Sequence, residues 1–125
     1  MKLKVGPIQI FVSNLERAKE WYTKILGMKI VKEYPEFKCV LMKLDKIEFD
    51  IGTPDPSWGE GWNKVKIGGR TPIFFETDDI EKTWDELKKR GIKVIEELSK
   101  RPWNEKKAVF ADPDGNEFNL IEVVE

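Results

Sequence analysis

The chain has 125 residues, of which 40% are hydrophobic, and its 22 basic residues nearly balance 23 acidic ones, giving a net charge of −1. This length predicts one soluble domain, and the balanced charge excludes the electrostatic attraction on which nucleic-acid binding and anionic-membrane binding depend. The single cysteine excludes an internal disulfide, and the absence of histidine removes the commonest metal ligand and general base. The N-terminus lacks the apolar core of a signal peptide, so we expect a cytoplasmic protein.

Hydrophobic periodicity predicts two βαβββ modules in one domain, residues 4–52 and 71–125, joined by a Pro- and Gly-rich linker loop over residues 53–70. In the first module, a helix begins at a capping box from Ser13 to Glu16 and ends at Gly27. The predicted strands of this module are Val5–Val12, Met28–Tyr34, Phe37–Leu44 and Lys46–Gly52. The helix of the second module runs from about Asp79 to Arg90.

The second module repeats the first in three collinear blocks. TPIFFETDDIEKTW aligns with GPIQIFVSNLERAK at an offset of 65 residues, and RGIKVIEE aligns with LGMKIVKE at 64. NEKKAVFADPDGNEFN aligns with PEFKCVLMKLDKIEFD at 69 without a gap. Three blocks in the same order indicate a duplication.

Alternation along the strands separates the side chains that pack on each helix from those that face the other way. The second set includes four carboxylates, for which we identify no facing basic partner, although Lys38, Lys43, Lys106 and Lys107 stay open for that role. The residues predicted to face away from the helices are Pro7, Gln9, Phe11, Glu48, Asp50, Pro72, Phe74, Glu76, Glu117, Asn119 and Ile121.

The segments SNLERAKEWYTKILG and FADPDGN, set in two βαβββ modules, resemble the vicinal oxygen chelate superfamily over essentially the whole chain. That superfamily includes glyoxalase I, extradiol dioxygenases, fosfomycin-resistance enzymes and bleomycin-resistance proteins. The resemblance implies an α+β fold in which the modules form an eight-stranded, incompletely closed, cup-shaped sheet with the helices outside. It also implies a homodimer, and leaves open whether the modules pair within a chain or swap between chains.

Metal-dependent members of that superfamily carry ligands at four positions, which correspond here to Pro7, Asp50, Pro72 and Asn119. A proline side chain has no donor atom, and one carboxylate with one amide is a poor site for a divalent cation. We therefore predict no metal and no other cofactor. The run Asp112-Pro113-Asp114-Gly115 is interpreted as turn chemistry rather than as part of a catalytic site.

The resemblance is closest to the metal-free bleomycin-resistance branch, because RPWNEKKAVFADPDGN is similar to the P-W-G segment that precedes its turn, with Asn104 where glycine is usual. We therefore predict a homodimer that sequesters a cationic or aromatic small molecule in an acidic, aromatic-lined cup. The predicted ligand-binding residues are Gln9, Phe11, Tyr34, Glu48, Asp50, Trp62, Phe74, Glu76, Trp103, Glu117 and Asn119.

Two alternatives remain at this stage. The first is a lyase, isomerase or epimerase in which Glu48, Asp50 or Glu117 acts as the base, or in which the metal has been relocated. The second is a dimeric interaction module whose tryptophans form the interface. Trp58, Trp62 and Trp103 suit either a pocket or a dimer interface.

Overall fold

The structure, a computed structural model, describes residues 1–123 of the chain. The chain divides into two compact units, residues 1–67 and 68–125. Each unit is a βαβββ module with one four-stranded sheet. The predicted α+β class and both modules are confirmed, while the predicted end of the second module, residues 124–125, lies outside the described residues. No helix in the described part of the chain is both long and apolar enough to cross a membrane.

The first unit forms a sheet of order β1-β4-β3-β2, with β1 parallel to β4 and the other pairs antiparallel. Its elements are β1 Ile8–Phe11, α1 Leu15–Lys24, β2 Lys29–Tyr34, β3 Cys39–Leu44 and β4 Ile47–Gly52. A 3₁₀ turn over Pro35–Phe37 precedes β3, which therefore begins two residues later than predicted.

The helix α1 begins after Asn14, whose side-chain oxygen accepts a hydrogen bond from the backbone nitrogen of Arg17 at 3.0 Å. The predicted cap by Ser13 is therefore wrong by one residue. Asparagine caps a helix as well as serine does, and the Ser13 hydroxyl instead accepts from the Arg17 guanidinium at 3.1 Å. Ala18 and Tyr22 of α1 are buried in the core of this unit.

Strand alternation is confirmed in the centre of β4 and fails at its start. Phe49 and Ile51 are 3% and 0% exposed, as expected of side chains packed towards the core, but Ile47 is 48% exposed. Ile47 closes the turn at Asp45–Lys46 by pairing with Leu44. A residue next to the hairpin turn extends beyond the part of the sheet that the helix covers. Its position in the alternating pattern therefore does not predict whether its side chain is buried.

The segment after β4 is more ordered than the predicted linker loop. It contains a 3₁₀ turn over Pro56–Trp58 and a short helix, α2, over Glu60–Asn63. The Asp55 side chain caps the 3₁₀ turn by accepting from the Ser57 backbone nitrogen at 2.9 Å. The linker also ends two residues before its predicted limit, because Gly69 already pairs with Asn116 in the second sheet.

The second unit repeats this architecture with a sheet of order β5-β8-β7-β6. Its elements are β5 Gly69–Glu76, α3 Ile80–Lys89, β6 Lys93–Arg101, β7 Glu105–Ala111 and β8 Asn116–Val123. Asp79 caps α3 by accepting from the Lys82 backbone nitrogen at 3.1 Å. The buried Trp84 of α3 packs on Phe110, whose ring centre lies 5.7 Å from that of Phe118.

The ungapped alignment of the third repeat block is wrong by one residue. Asp50 and Asn119, 69 positions apart as predicted, pair with Leu41 and Val109, which are 68 positions apart. The turn over Asp112–Gly115 therefore carries one residue more than the corresponding turn of the first module. Cys39 pairs with Gly52, and Lys107 pairs with Ile121, which is 69 residues after Gly52. Consequently Cys39, rather than Lys38, corresponds to Lys107 in the second module.

Candidate functional site

A pocket of about 350 Å³ opens on the first unit. Its wall is formed by β1, β3 and β4, the turn before β3, and the ordered segment that follows β4. Four residues predicted to bind a ligand, Gln9, Phe11, Asp50 and Trp62, line this one pocket. The other lining residues are Phe37, Cys39, Gly52, Thr53 and Trp58.

Aromatic rings form most of the apolar surface of the pocket. The Phe11 and Trp62 ring centres lie 6.1 Å apart with their planes at 84°, and those of Trp58 and Trp62 lie 5.1 Å apart at 80°. Edge-to-face contacts of this kind stabilise the orientation of each ring. Phe37 and Trp58 remain 59% and 40% exposed, so aromatic surface is left available to a bound molecule.

Gly52 at the end of β4 gives the pocket part of its depth. A Cβ at this position would lie 2.8 Å from the Cβ of Cys39, its partner on β3, and 3.0 Å from the carbonyl oxygen of Lys38. Contacts this short force neighbouring atoms to move, so a side chain is excluded for steric reasons. The missing side chain leaves open the surface between Phe11 and Cys39, the two strand partners of Gly52.

Among the described residues that line the pocket, Asp50 alone carries a formal charge. Cys39 lies near Asp50, because Cys39 pairs with Gly52, two residues beyond Asp50 on β4. Burial raises the pKa of Cys39 to about 11, and the nearby negative charge of Asp50 contributes to this shift. Because the thiolate is the reactive form of cysteine, Cys39 is a weak nucleophile at neutral pH, and the pocket keeps a single negative charge.

Lys38 attaches the segment after β4 to the β2–β3 turn. Its ammonium lies 2.8 Å from Asp55, and its carbonyl oxygen accepts from the Thr53 backbone nitrogen at 3.0 Å. Hydrogen bonds from Lys38 and Ser57 lower the pKa of Asp55 to about 2. The capped 3₁₀ turn that follows Asp55 carries Trp58, so this ion pair positions one wall of the pocket.

Two further residues of the first unit that were predicted to bind a ligand do not line the pocket. Glu48 is half-buried on β4 and pairs with Lys43 across the hairpin. Tyr34 lies at the end of β2, where the Lys32 ammonium is 5.0 Å from its ring centre. A ligand contact by either residue stays a prediction.

In the second unit, two basic side chains face residues predicted to bind a ligand. The Arg70 guanidinium donates to the Asn119 amide oxygen at 3.2 Å, and the Lys107 ammonium lies 5.8 Å from the Phe74 ring centre. These two contacts are with an amide and an aromatic ring, and not with any of the four carboxylates for which a basic partner was sought; Lys107 was one of the lysines left open for that role. Arg70 was missed because the predicted strand began at Thr71.

The remaining candidates of the second unit lie in different environments. Glu76 is exposed, and Glu117 is half-buried. Trp103 is 66% exposed in the turn between β6 and β7, where its indole nitrogen donates to Glu105 at 3.1 Å. Asn104 has a φ of 59°, so asparagine here takes the left-handed conformation for which glycine is usual. The ligand-binding roles of these residues stay predictions.

The four positions that correspond to metal ligands in metal-dependent superfamily members, called here the inherited metal positions, do not fit a divalent cation. They are Pro7, Asp50, Pro72 and Asn119. Pro7 and Pro72 offer no donor atom. The Asn119 amide is already engaged, because its nitrogen donates to the Ile73 carbonyl oxygen at 3.2 Å while its oxygen accepts from Arg70. A guanidinium at the amide oxygen would repel a cation bound there.

A separate group of carboxylates, Asp79, Glu81 and Glu122, has oxygen atoms within 4.8 Å of one another at the start of α3. One ammonium and two backbone N–H groups already interact with these carboxylates. The Lys106 ammonium lies 2.7 Å from Glu81 and 4.0 Å from Glu122, and Glu122 also accepts from the Ile80 backbone nitrogen at 2.8 Å. This group therefore stabilises the start of the helix.

The structure has the two βαβββ modules and the Asp112–Gly115 turn on which the resemblance to the vicinal oxygen chelate superfamily rests. The chain belongs to the Glyoxalase/Bleomycin resistance protein/Dioxygenase superfamily, whose family model matches residues 4–120.

Proteins similar to this chain include both a binding protein and an enzyme. A superfamily member from Sphaerobacter thermophilus DSM 20745 is 31% identical, with a TM-score of 0.83 over 97% of this chain and 98% of its own. TnmS3, an antibiotic binding protein from Streptomyces sp. CB03234, is 23% identical, with a TM-score of 0.75 over 98% of each chain, a likeness of fold. A lactoylglutathione lyase from Neisseria meningitidis serogroup B is 28% identical over 89% of this chain and 84% of its own.

Proposed function

We propose that this protein binds a small cationic or aromatic molecule in the pocket of the first unit and sequesters it without chemical conversion. The observation that carries the proposal is the composition of the pocket wall, which joins four aromatic residues to the single carboxylate of Asp50. Ligand pockets commonly combine apolar surface with a few polar groups that fix orientation.

The chemistry of the pocket favours binding over turnover. Burial raises the pKa of Cys39 to about 11, so its thiol stays neutral well above neutral pH, and the chain has no histidine to act as a general base. The inherited metal positions lack two donors and place a guanidinium at a third. The fold shared with an antibiotic binding protein is compatible with sequestration, although fold alone does not establish function.

Tryptophan fluorescence tests this proposal, because two of the lining residues are tryptophans. The purified protein is titrated with a panel of neutral aromatic, cationic aromatic and aliphatic cationic compounds, and each mixture is analysed by mass spectrometry for chemical change. We expect saturable binding with the compounds recovered intact. Turnover of any compound, including lactoylglutathione formation in a lyase assay, would overturn the proposal, as would the absence of saturable binding across the panel.

Two tryptophan variants separate a pocket from an interface. We propose that the protein is a homodimer, and light scattering of each variant measures whether it remains one. Trp62→Leu should weaken binding at least tenfold with the mass unchanged, because Trp62 contacts both Phe11 and Trp58. Trp103→Leu is the matched control, since Trp103 does not line the pocket. Loss of binding in the Trp103 variant alone would place the site elsewhere, and dissociation of the Trp62 variant would assign Trp62 to an interface.

A further inference from the structure

We infer that the pocket of the first unit selects an alkylated ammonium group, such as a trimethylammonium, over a primary amine or a neutral group of the same shape. This inference rests on the proposed function and names the chemical class of ligand that the site recognises. Three features of the pocket carry it: the orientation of the rings, the single charge, and the scarcity of hydrogen-bond acceptors.

The rings face in different directions around the pocket. The plane of Trp62 is nearly perpendicular to those of both Phe11 and Trp58, and Phe37 adds a fourth, largely exposed ring. The face of an aromatic ring attracts a cation, and enclosure by several rings is the usual way in which proteins recognise quaternary ammonium groups. A round cation with methyl groups on all sides can contact several such faces simultaneously.

The charge of the pocket matches one monovalent cation. Within residues 1–123, Asp50 contributes the only formal charge among the lining residues, and the neutral Cys39 thiol adds none. The ammonium of the nearby Lys38 is paired with Asp55 at 2.8 Å, and Lys38 does not line the pocket. A bound cation would therefore meet a carboxylate and the negative faces of the rings, with no competing positive side chain in the wall.

The hydrogen-bonding capacity of the pocket disfavours a primary ammonium. Such a group has three N–H donors and loses strong hydration when it is buried. Besides Asp50, only Gln9 and Thr53 bring side-chain oxygen acceptors to the described lining, and the rest of this wall is aromatic or otherwise apolar. A polar group buried without partners is costly, whereas a trimethylammonium has no N–H donor to satisfy.

Three water-soluble probes that share a hydroxyethyl group test this selectivity: choline, its neutral isostere 3,3-dimethylbutan-1-ol, and ethanolamine, the primary amine without the methyl groups. The dissociation constant of each is measured by tryptophan fluorescence and checked by calorimetry. We expect choline to bind at least tenfold more tightly than either of the other two. Equal affinity for all three would overturn the inference, and so would ethanolamine binding most tightly.

Variants test whether the carboxylate acts by direct contact. Asp50→Asn should weaken choline binding about tenfold and leave 3,3-dimethylbutan-1-ol unaffected. Asp45→Asn is the matched control, because it removes the same charge by the same substitution in the exposed turn between β3 and β4, at a residue that does not line the pocket. Equal weakening in both variants would show a general field effect and overturn the contact. The probe series on the unmodified protein decides the selectivity even if a variant fails to fold.

The two proposals fail in different ways. If neutral aromatic compounds of the wider panel bind saturably and choline does not, the selectivity for alkylated ammonium is wrong while the binding function stands. If no compound of the panel binds, the binding function itself is wrong.

Discussion

Replacing Asp112 with alanine tests whether one buried carboxylate stabilises the turn between β7 and β8. Asp112 is 1% exposed, and its Oδ1 accepts from the backbone nitrogens of Asp114 and Asn116, both at 2.9 Å. Its Oδ2 accepts from the Asn116 side-chain nitrogen at 2.8 Å. The Asn116 amide oxygen in turn accepts from the backbone nitrogen of Gly68 at 2.9 Å, so the network extends to the start of β5.

The expected magnitude follows from these contacts. A hydrogen bond to a charged group contributes about 1.5–3 kcal/mol, and a buried donor left without its acceptor adds its own desolvation cost. Contributions within one network are not additive, so we expect Asp112→Ala to lower the free energy of unfolding by roughly 3–5 kcal/mol rather than by the full sum. Asp112→Asn keeps one acceptor oxygen but places an N–H group against the Asn116 nitrogen, so we expect about half that loss.

Urea unfolding followed by circular dichroism measures the effect. A loss of roughly 3–5 kcal/mol corresponds to a fall of about 10–20 °C in Tm for a chain of this size. Asp78→Ala is the control, because Asp78 is an exposed aspartate in the loop between β5 and α3, and we expect a change within about 0.5 kcal/mol. A loss below about 1 kcal/mol for Asp112→Ala would refute the importance of the carboxylate network.

Three further outcomes are expected around the pocket. Hydrogen bonding lowers the pKa of Asp55 to about 2. The ionised carboxylate should therefore stabilise the folded segment fully above pH 4, near the ordinary aspartate pKa, and this stabilisation should be lost as the pH falls towards 2. The fluorescence of the tryptophans in this segment should change over that interval, and Asp55→Asn or Lys38→Met should remove the step. Since the pKa of Cys39 is raised to about 11, its rate of alkylation should keep rising up to that pH, whereas Asp50→Asn should shift the midpoint downwards; a plateau near pH 9 would contradict this. Gly52→Val should lower the free energy of unfolding by about 1–3 kcal/mol and abolish ligand binding, because its Cβ would clash with Cys39; unfolding and binding like those of the parent chain would refute the steric explanation.

Local sequence signals predicted most of the fold because each helix and strand carries its own periodicity. The helix α3 illustrates this: its cap at Asp79 and its buried Ile80, Trp84 and Leu87 follow helical spacing. The start of α1 was less certain, because Ser13 and Asn14 are adjacent and both are good caps. The choice between two such neighbours depends on the approach of the preceding strand, which the sequence does not specify.

The candidate pocket could be predicted only in part. Gln9, Phe11 and Asp50 were found because strand alternation holds in the middle of β1 and β4. Phe37 was missed because it lies in a 3₁₀ turn rather than in the predicted strand. Cys39 was missed because it begins the continuous apolar run CVLM, in which alternation does not distinguish the two faces of the sheet. The contribution of Trp58 depends on contacts between residues far apart in sequence, chiefly the ion pair of Lys38 with Asp55 at the start of its turn, which no local pattern indicates.

The difference between the two modules arises from a few substitutions on a duplicated frame. Gly52 pairs with Phe11 and Cys39, and the corresponding residue of the second module, Ile121, pairs with Glu76 and Lys107.

An isoleucine therefore stands where the first module has no side chain, and the adjacent cysteine is replaced by a lysine whose ammonium lies over the Phe74 ring. The second module thus places its own side-chain atoms and a positive charge on the surface that the first module leaves open, aromatic and acidic. Sequence repetition preserves the backbone that positions these residues, while the size and charge of the side chains at these two positions differ between the modules.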